Sequence, residues 1–370
     1  MRILLIGEYS NVHNTLAKGL QALGHDCVVA SDGDHWKDYP RDIDLRREFS
    51  FRGNVSYLYR LLKALTRFKD YDIVQLINPL FLEMKPESVA KAFRYIREHN
   101  KKVVLGAFGM DYYWASVNSE QKPLRYSDFN IGDITRTDEV AEAYRKEWTL
   151  TSKKELCEMV ADECDAIISG LYEYQVTYEN TRHKGKTSFI PFPIEMPDKP
   201  AQDIDIVPEK LRIFVGLPKD RVVYKGLDIM LDAAKAVQAK YPDLLEIKTA
   251  SGVPFAEYQN MMNGCDAILD QLYSYTPSMN SLLAMSKGIV CIGGGEPENY
   301  EIIGEKELRP IINVQPTFES CYNEIERLLL NLNNLPLLKR QSIEYVRKHH
   351  NHIAVAEKYI SLYKAIASDK

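Results

Sequence analysis

The chain predicts an α/β protein of two doubly wound parallel-sheet domains that face a cleft and end in a C-terminal helix. Three observations carry that expectation. At 370 residues the chain exceeds what one hydrophobic core usually covers. Short apolar runs alternate with amphipathic helical patterns on both sides of its middle. Between the two alternating stretches, "PFPIEMPDKPAQDIDIVPE" places five prolines between 191 and 208, too many for a helix or a central strand.

The elements follow in order. "RILLIG" leads into the helix "VHNTLAKGLQALGH" and then "DCVVAS". Further on, "DIVQLI", "PESVAKAFRYIREHN" and "KKVVLGAF" repeat the unit, and "CDAIISG" and "KTSFIPF" close it. After the proline-rich stretch, "LRIFVGL" restarts the alternation. It runs through "YKGLDIMLDAAKAVQAKY", "LLEIKTA", "VPFAEYQNMMNG", "DAILDQL", "MNSLLAMSKG", "IVCIGG", "ENYEIIGE" and "RPIINV", and ends in the helical "HIAVAEKYISLYKAI". The expected boundaries are a first domain over 1–195, a linker over 196–210, a second domain over 211–350 and a terminal helix over 351–370 that packs back toward the first domain.

Composition is that of an ordinary globular protein, and a net charge of −5 argues against a dedicated nucleic-acid binder. The six cysteines (27, 157, 164, 265, 291 and 321) form no CxxC pair, and several sit in apolar strands. That reads as buried free thiols in a reducing compartment. "MRILLIG" is a strand and too short for a signal sequence, and no run is long enough to cross a bilayer, so a cytoplasmic protein is expected. Residues 45–69 hold seven basic residues and one acidic, with apolar residues at helical spacing. A solvated basic face is the commoner reading of such a helix. Peripheral contact with an anionic membrane surface, at the inner face of the membrane, is the other. His183, His349, His350 and His352 lie in loop or tail patterns and read as surface residues.

In open parallel sheets ligands bind beyond the carboxyl ends of the strands, so the strand-to-helix corners carry the chemistry. "LPKDRVVYKGLDIML" offers Lys219, Arg221 and Lys225 with Gly226 opening a helix. Cations oppose the dipole at a helix start, and a bound polyanion would account for them there. "YTPSMNSLLAMSKG" supplies Ser278 as a cap, a helix from about Met279 to Ser286, and Asn280 and Ser281 beside the first amides, together an anion cradle. "GGGEPEN" combines close backbone approach with Glu296 and Glu298, carboxylates suited to sugar hydroxyls. In the first domain, Gly7, Glu8, His13 and Asn14 stand where the first strand meets its helix. Asp111, beside Gly109 and three aromatics, could deprotonate a hydroxyl or hold a sugar; equally, it could cap a helix above a packed aromatic cluster. No dinucleotide, P-loop or HExxH fingerprint is present.

At "RVVYKGLDIML", at "CDAILDQLYSYTPSMNSLLAMSKGIVCIGG" and in the tail, the chain resembles nucleotide-sugar glycosyltransferases of the GT-B fold, nearest to the large retaining group called family 4 (glycosyl transferases group 1). "LAKGLQALGHD" and "CDAIISG" extend the likeness over nearly the whole length. The resemblance implies two Rossmann-like domains, acceptor on the first and donor on the second. It implies a hexosyltransferase of polysaccharide-biosynthesis type that uses a nucleotide-diphosphate sugar and a glycan, lipid-linked or small-molecule hydroxyl acceptor, with no cofactor and no metal. Lys225 matches the family's diphosphate lysine, and Arg221 its arginine with a one-residue shift; Gly226, Ser278, Asn280 and Ser281 complete that group. Tyr275, Glu296, Glu298 and Glu301 fall on the donor-sugar and nucleotide side; Gly7, Glu8 and Gly109 on the acceptor side; His13 and Asp111 are the catalytic candidates. The family's paired glutamates are replaced by Tyr275 and Leu283. A non-catalytic nucleotide-sugar-binding protein or a partner subunit of a transferase is the alternative from another class, and an epimerase or phosphorylase of the same fold a third.

Overall fold

A computed structural model describes residues 1–201, 203–218 and 221–368. Chain order is β1 (Arg2–Ile6), α1 (Val12–Ala22), β2 (Asp26–Ser31), β3 (Ile43–Asp44), α2 (Phe51–Leu65), β4 (Ile73–Leu76), α3 (Pro86–His99), β5 (Lys102–Ala107) and α4 (Tyr112–Glu120). A hairpin of β6 (Asn130–Ile131) and β7 (Ile134–Thr135) follows, then α5 (Glu139–Thr149), α6 (Lys153–Glu163), β8 (Ala166–Ser169), α7 (Tyr172–Glu179) and β9 (Thr187–Phe189). The second half holds β10 (Leu211–Gly216), α8 (Leu227–Lys240), β11 (Leu245–Ala250), α9 (Phe255–Met262), β12 (Ala267–Leu269), α10 (Met279–Ser286), β13 (Val290–Gly293), α11 (Pro297–Ile303), β14 (Ile312–Asn313), α12 (Phe318–Leu330), α13 (Leu335–His350) and α14 (His352–Ser368).

Two compact units result. The first takes residues 1–123, 142–193 and 352–370, the second residues 124–141 and 194–351. The second unit thus contains a stretch from the first half of the sequence, residues 124–141, which the sequence reading assigns to the first domain. The chain changes unit within the proline-rich stretch, at Pro193–Ile194, and again after Asn351. Ile194 pairs with Asn351 in a lone bridge, and its amide donates to the His350 carbonyl at 2.6 Å.

The first unit is a parallel sheet in the order β3-β2-β1-β4-β5-β8-β9, so strand order reverses between β1 and β4. Fully buried Ile3, Leu4, Leu5, Ile73, Val74 and Val103–Leu105 explain its continuous apolar strands, covered on both faces. Helix α14 belongs to this unit: Val355, Ala356, Tyr359 and Tyr363 are buried, and the Tyr363 hydroxyl donates to Gln75 Oε1 at 2.6 Å. The second unit has the order β11-β10-β12-β13-β14, with Val215 opposite Leu269 and the reversal between β10 and β12. Its core joins Leu211, Ile213 and Val215 to Met230, Ala234 and Val237 of α8 and to Ile325 and Leu328 of α12.

All six cysteines are free and buried. Three of the four histidines expected at the surface are not there. His183 is buried against the Tyr113 hydroxyl at 2.8 Å, and His349 and His350 lie on the buried face of α13 with Tyr345 and Val346. For His349 and His350 the reason is helical periodicity: the last turn of α13 continues the face that packs inward. Among the described residues, no helix is long and apolar enough to cross a membrane.

Candidate functional site

In the second unit the three expected corners line one edge of the sheet, at the carboxyl ends of β10, β12 and β13. Gly226 caps α8 in the left-handed region (φ 67°), and a Cβ there would lie 2.6 Å from the Leu272 Cβ. The first corner therefore rests directly on the second, with the Leu272 amide donating to the Lys225 carbonyl at 2.9 Å. The Glu296 amide in turn donates to the Tyr275 carbonyl at 3.2 Å, which ties the third corner to the second. Lys225 is half-buried and Arg221 exposed beside this seam. Lys219 lies outside the described residues.

The cradle at α10 differs in detail from the expectation. Ser278 does precede the helix, which runs over Met279–Ser286, but both of its donors are engaged: its amide donates to Asp270 Oδ2 at 2.8 Å and its hydroxyl to Asp270 Oδ1 at 2.5 Å. Asp270 is buried and already brings a carboxylate to the positive end of that helix. Asn280 donates to the Tyr258 hydroxyl at 2.8 Å. Ser281 departs from the expected role, because its side chain is fully buried and faces the Cys291 thiol. Its helix face decides this: Ser281 shares the inward side of α10 with Ala284 and Met285, three and four residues on, both buried.

Glu296 and Glu298 stand at the third corner, but both carboxylates are met by residues 124–141. Glu296 is buried and accepts from Tyr126 Oη at 2.7 Å, Arg125 Nη2 at 2.6 Å, Asn313 Nδ2 at 2.9 Å and Gln315 Nε2 at 2.6 Å. Arg125 also pairs with Glu298, and its guanidinium holds the Glu298 carboxyl below its ordinary range. Tyr275 accepts a hydrogen bond from the Arg125 amide at 2.7 Å and stacks on Tyr126 with centroids 4.7 Å apart; burial pushes its pKa up to about 12. Glu301 is exposed in the last turn of α11. Sequence reasoning missed residues 124–141 altogether. The signal was "NIGDIT", a Gly-Asp pair between two isoleucines, which forms the β6–β7 hairpin with Gly132 at φ 56°.

In the first unit Gly7 (φ 86°) ends β1, where a Cβ would sit 2.2 Å from Ile77 Cγ2. Gly109 adjoins the same corner, its face against the Tyr9 ring. A pocket opens at this strand-order reversal, lined by Gly7, Glu8, Tyr9, Asp32, His35 and Tyr57 among others. Glu8 is buried and accepts from the His13 and Asn14 amides at 3.2 and 2.8 Å. Burial outweighs those bonds and raises its pKa to about 8. Asp32, His35 and Glu83 bring potential ligand atoms within 4.8 Å of one another nearby.

The two catalytic candidates are committed internally, which corrects the expectation for them. His13 is fully buried; its Nδ1 donates to the Gly7 carbonyl at 2.8 Å, and its Nε2 lies 3.1 Å from Gln75 Nε2, from which it accepts. Burial lowers its pKa to about 3. Asp111 caps α4, accepting from the Trp114 amide at 2.7 Å and from Tyr178 Oη at 2.6 Å, with its pKa raised to about 6 by burial. The helix-capping reading of Asp111 is the one its contacts describe. Neither side chain reaches an open surface.

No protein-family model and no curated protein sequence matches the chain. Solved structures do match over its full length. Sucrose-phosphate synthase from Thermosynechococcus elongatus aligns with a TM-score of 0.61 at 13% identity, covering 100% of both chains. Anabaena HepE in complex with UDP-glucose aligns with a TM-score of 0.63 at 11% identity, covering 99% of this chain and 100% of that one. A glycosyltransferase from Rickettsia africae gives 0.53 at 11% identity, covering 100% and 98%. At such identities the likeness establishes the fold, two Rossmann-like units of GT-B architecture.

Proposed function

We propose that the protein is a glycosyltransferase that moves a sugar from a nucleotide-diphosphate donor to a hydroxyl acceptor without a metal ion. The observation that carries this reading is the second-unit edge at the β10/β12 reversal. There the Arg221/Lys225 corner packs against Leu272, where β12 begins its turn toward α10, so the two corners meet at adjacent strand ends. That is where a doubly wound sheet receives a phosphorylated ligand, and the solved neighbours include one in complex with UDP-glucose. The donor diphosphate lies against Lys225, Arg221 and the amides that open α10, and Asp270 confines it to the Lys225 side of that helix. Fixed cations stabilise the departing diphosphate. The acceptor binds on the first unit at the Gly7–Glu8–Tyr9 pocket, where Glu8 is the buried titratable group.

The surface of α2 supports an acceptor presented at a membrane. Phe51, Val55, Leu58, Tyr59 and Leu62 form an outward stripe at 85%, 58%, 49%, 70% and 57% exposure, while Gly53, Tyr57, Leu61 and Ala64 face inward. Two apolar faces on one helix, flanked by Arg52, Lys63 and Arg67, suit a helix that packs on its sheet and rests on anionic lipid.

The test is nucleotide release. The chain is incubated with UDP- and GDP-sugars, with and without hydroxyl acceptors, and free nucleotide diphosphate is measured. Lys225→Ala should lower turnover at least about a hundredfold with the thermal unfolding midpoint unchanged, and retained turnover counts against the assignment. Tyr275 and Leu283 at the family's glutamate positions favour a second reading, a non-catalytic nucleotide-sugar binder. It predicts binding without release across the whole panel.

A further inference from the structure

The edge that would receive the donor is covered by the chain itself. Residues 124–141 cross all three corners of the second unit. At the third, Arg125 and Tyr126 engage Glu296 and Glu298. At the second, Tyr126 stacks on Tyr275, and the Arg136 guanidinium lies 3.9 Å from the centroid of the Tyr273 ring. At the first, Tyr224 Oη donates to Asp128 Oδ2 at 2.5 Å, and Arg136 lies 3.4 Å from the Val223 and Tyr224 carbonyls, the residues just before Lys225.

This segment is built, not merely threaded. Asn130 is fully buried and donates to the Leu124 and Gly132 carbonyls, each at 2.9 Å; Phe129 is fully buried; and the Arg136 amide returns to the Phe129 carbonyl at 2.8 Å. The segment is thus held together by its own hydrogen bonds as well as by its contacts with the sheet edge. Its grip on the sheet edge is electrostatic and aromatic, of the kind that a ligand bearing sugar hydroxyls and a diphosphate would compete for: carboxylates taken by a guanidinium, tyrosine faces taken by a ring and a cation.

We propose that residues 124–141 are an intramolecular plug over the donor edge, latched by Arg125 on Glu296 and Glu298 and by Arg136 on Tyr273, which a nucleotide diphosphate must displace to bind. The inference rests on the donor-edge assignment above. A site open for only a fraction of the time binds with its affinity reduced by that fraction, so weakening the latch tightens binding.

The experiment uses the full chain and two probes, UDP and GDP, titrated by calorimetry into wild type, Arg125→Ala and, as a milder variant that keeps the ring, Tyr126→Phe. Hydrogen exchange of the 124–136 and 270–280 peptides is followed in parallel. The plug predicts that Arg125→Ala binds a probe about tenfold or more tightly than wild type, with Tyr126→Phe between them. It also predicts that saturating probe accelerates exchange across 124–136 in wild type. Equal or weaker binding by Arg125→Ala, or a probe that binds wild type while protecting 124–136, overturns the plug and leaves the donor edge standing. If neither probe binds any form although exchange shows the segment released in Arg125→Ala, the donor edge itself is wrong and the plug falls with it.

Discussion

Replacing Glu8 with glutamine is expected to remove a loss of stability between pH 6.5 and 8. Burial raises Glu8 from 4.5 to about 8, so between those values the folded chain keeps a proton that the unfolded chain gives up, and stability falls as pH rises. His13, next along the same corner, works the other way. Burial lowers it from 6.5 to about 3, so between those values the unfolded chain binds the extra proton, and stability rises with pH. From 4.5 to 6.5 the two slopes cancel. From 6.5 to 8 Glu8 acts alone; one proton over that window, at about 1.4 kcal/mol per unit, is worth about 2 kcal/mol. Below 4.5 only His13 acts, and stability drops toward pH 3. The assay is urea unfolding followed by circular dichroism at intervals from pH 5 to 8.5, for wild type and Glu8→Gln. The wild-type curve should be level to pH 6.5 and then fall, while the variant should rise to pH 6.5, where His13 acts without Glu8 to offset it, and stay level above that. A difference between the two that is flat within about 0.5 kcal/mol from pH 6.5 to 8 would refute the burial argument.

Lys339→Met should destabilise the second unit by about 3–5 kcal/mol in urea unfolding, because it strands the Asp266 carboxylate, which Lys339 Nζ meets at 2.7 Å in full burial; Asp266→Asn added to it should recover most of the loss. Wild type should float with vesicles containing phosphatidylglycerol and not with phosphatidylcholine alone. Phe51→Ser, Leu58→Ser and Leu62→Ser together should abolish flotation, and equal recovery from both vesicle types, or retained flotation in the triple variant, would remove the membrane from the proposal.

The corners were legible in the sequence because strand ends and helix starts announce themselves locally. "LRIFVG" before a cationic turn and "TPSMNSLL" before a helix place Lys225 and Ser278 where they lie. What a side chain does there was legible only in part. Asp111 could be read as a base or a cap, and its contacts with the Trp114 amide and Tyr178 decide for the cap. Ser281 looks like a cradle hydroxyl, yet it lies on the helix face that packs into the core. Asp270 looks like the end of a strand, yet its carboxylate occupies the helix start that it precedes by eight residues.

Period and punctuation in the sequence determine the two doubly wound sheets, the proline-rich crossing and the buried thiols, because each follows from near neighbours along the chain. Tertiary structure alone decides who meets whom across 150 residues or more. Arg125 on Tyr275 and Glu298, and Gln75 on Tyr363, are such pairs. Those pairings depend on strand order and on the unit to which residues 124–141 attach. Neither is written in any local pattern, since a guanidinium binds whichever carboxylate the folded backbone brings within reach.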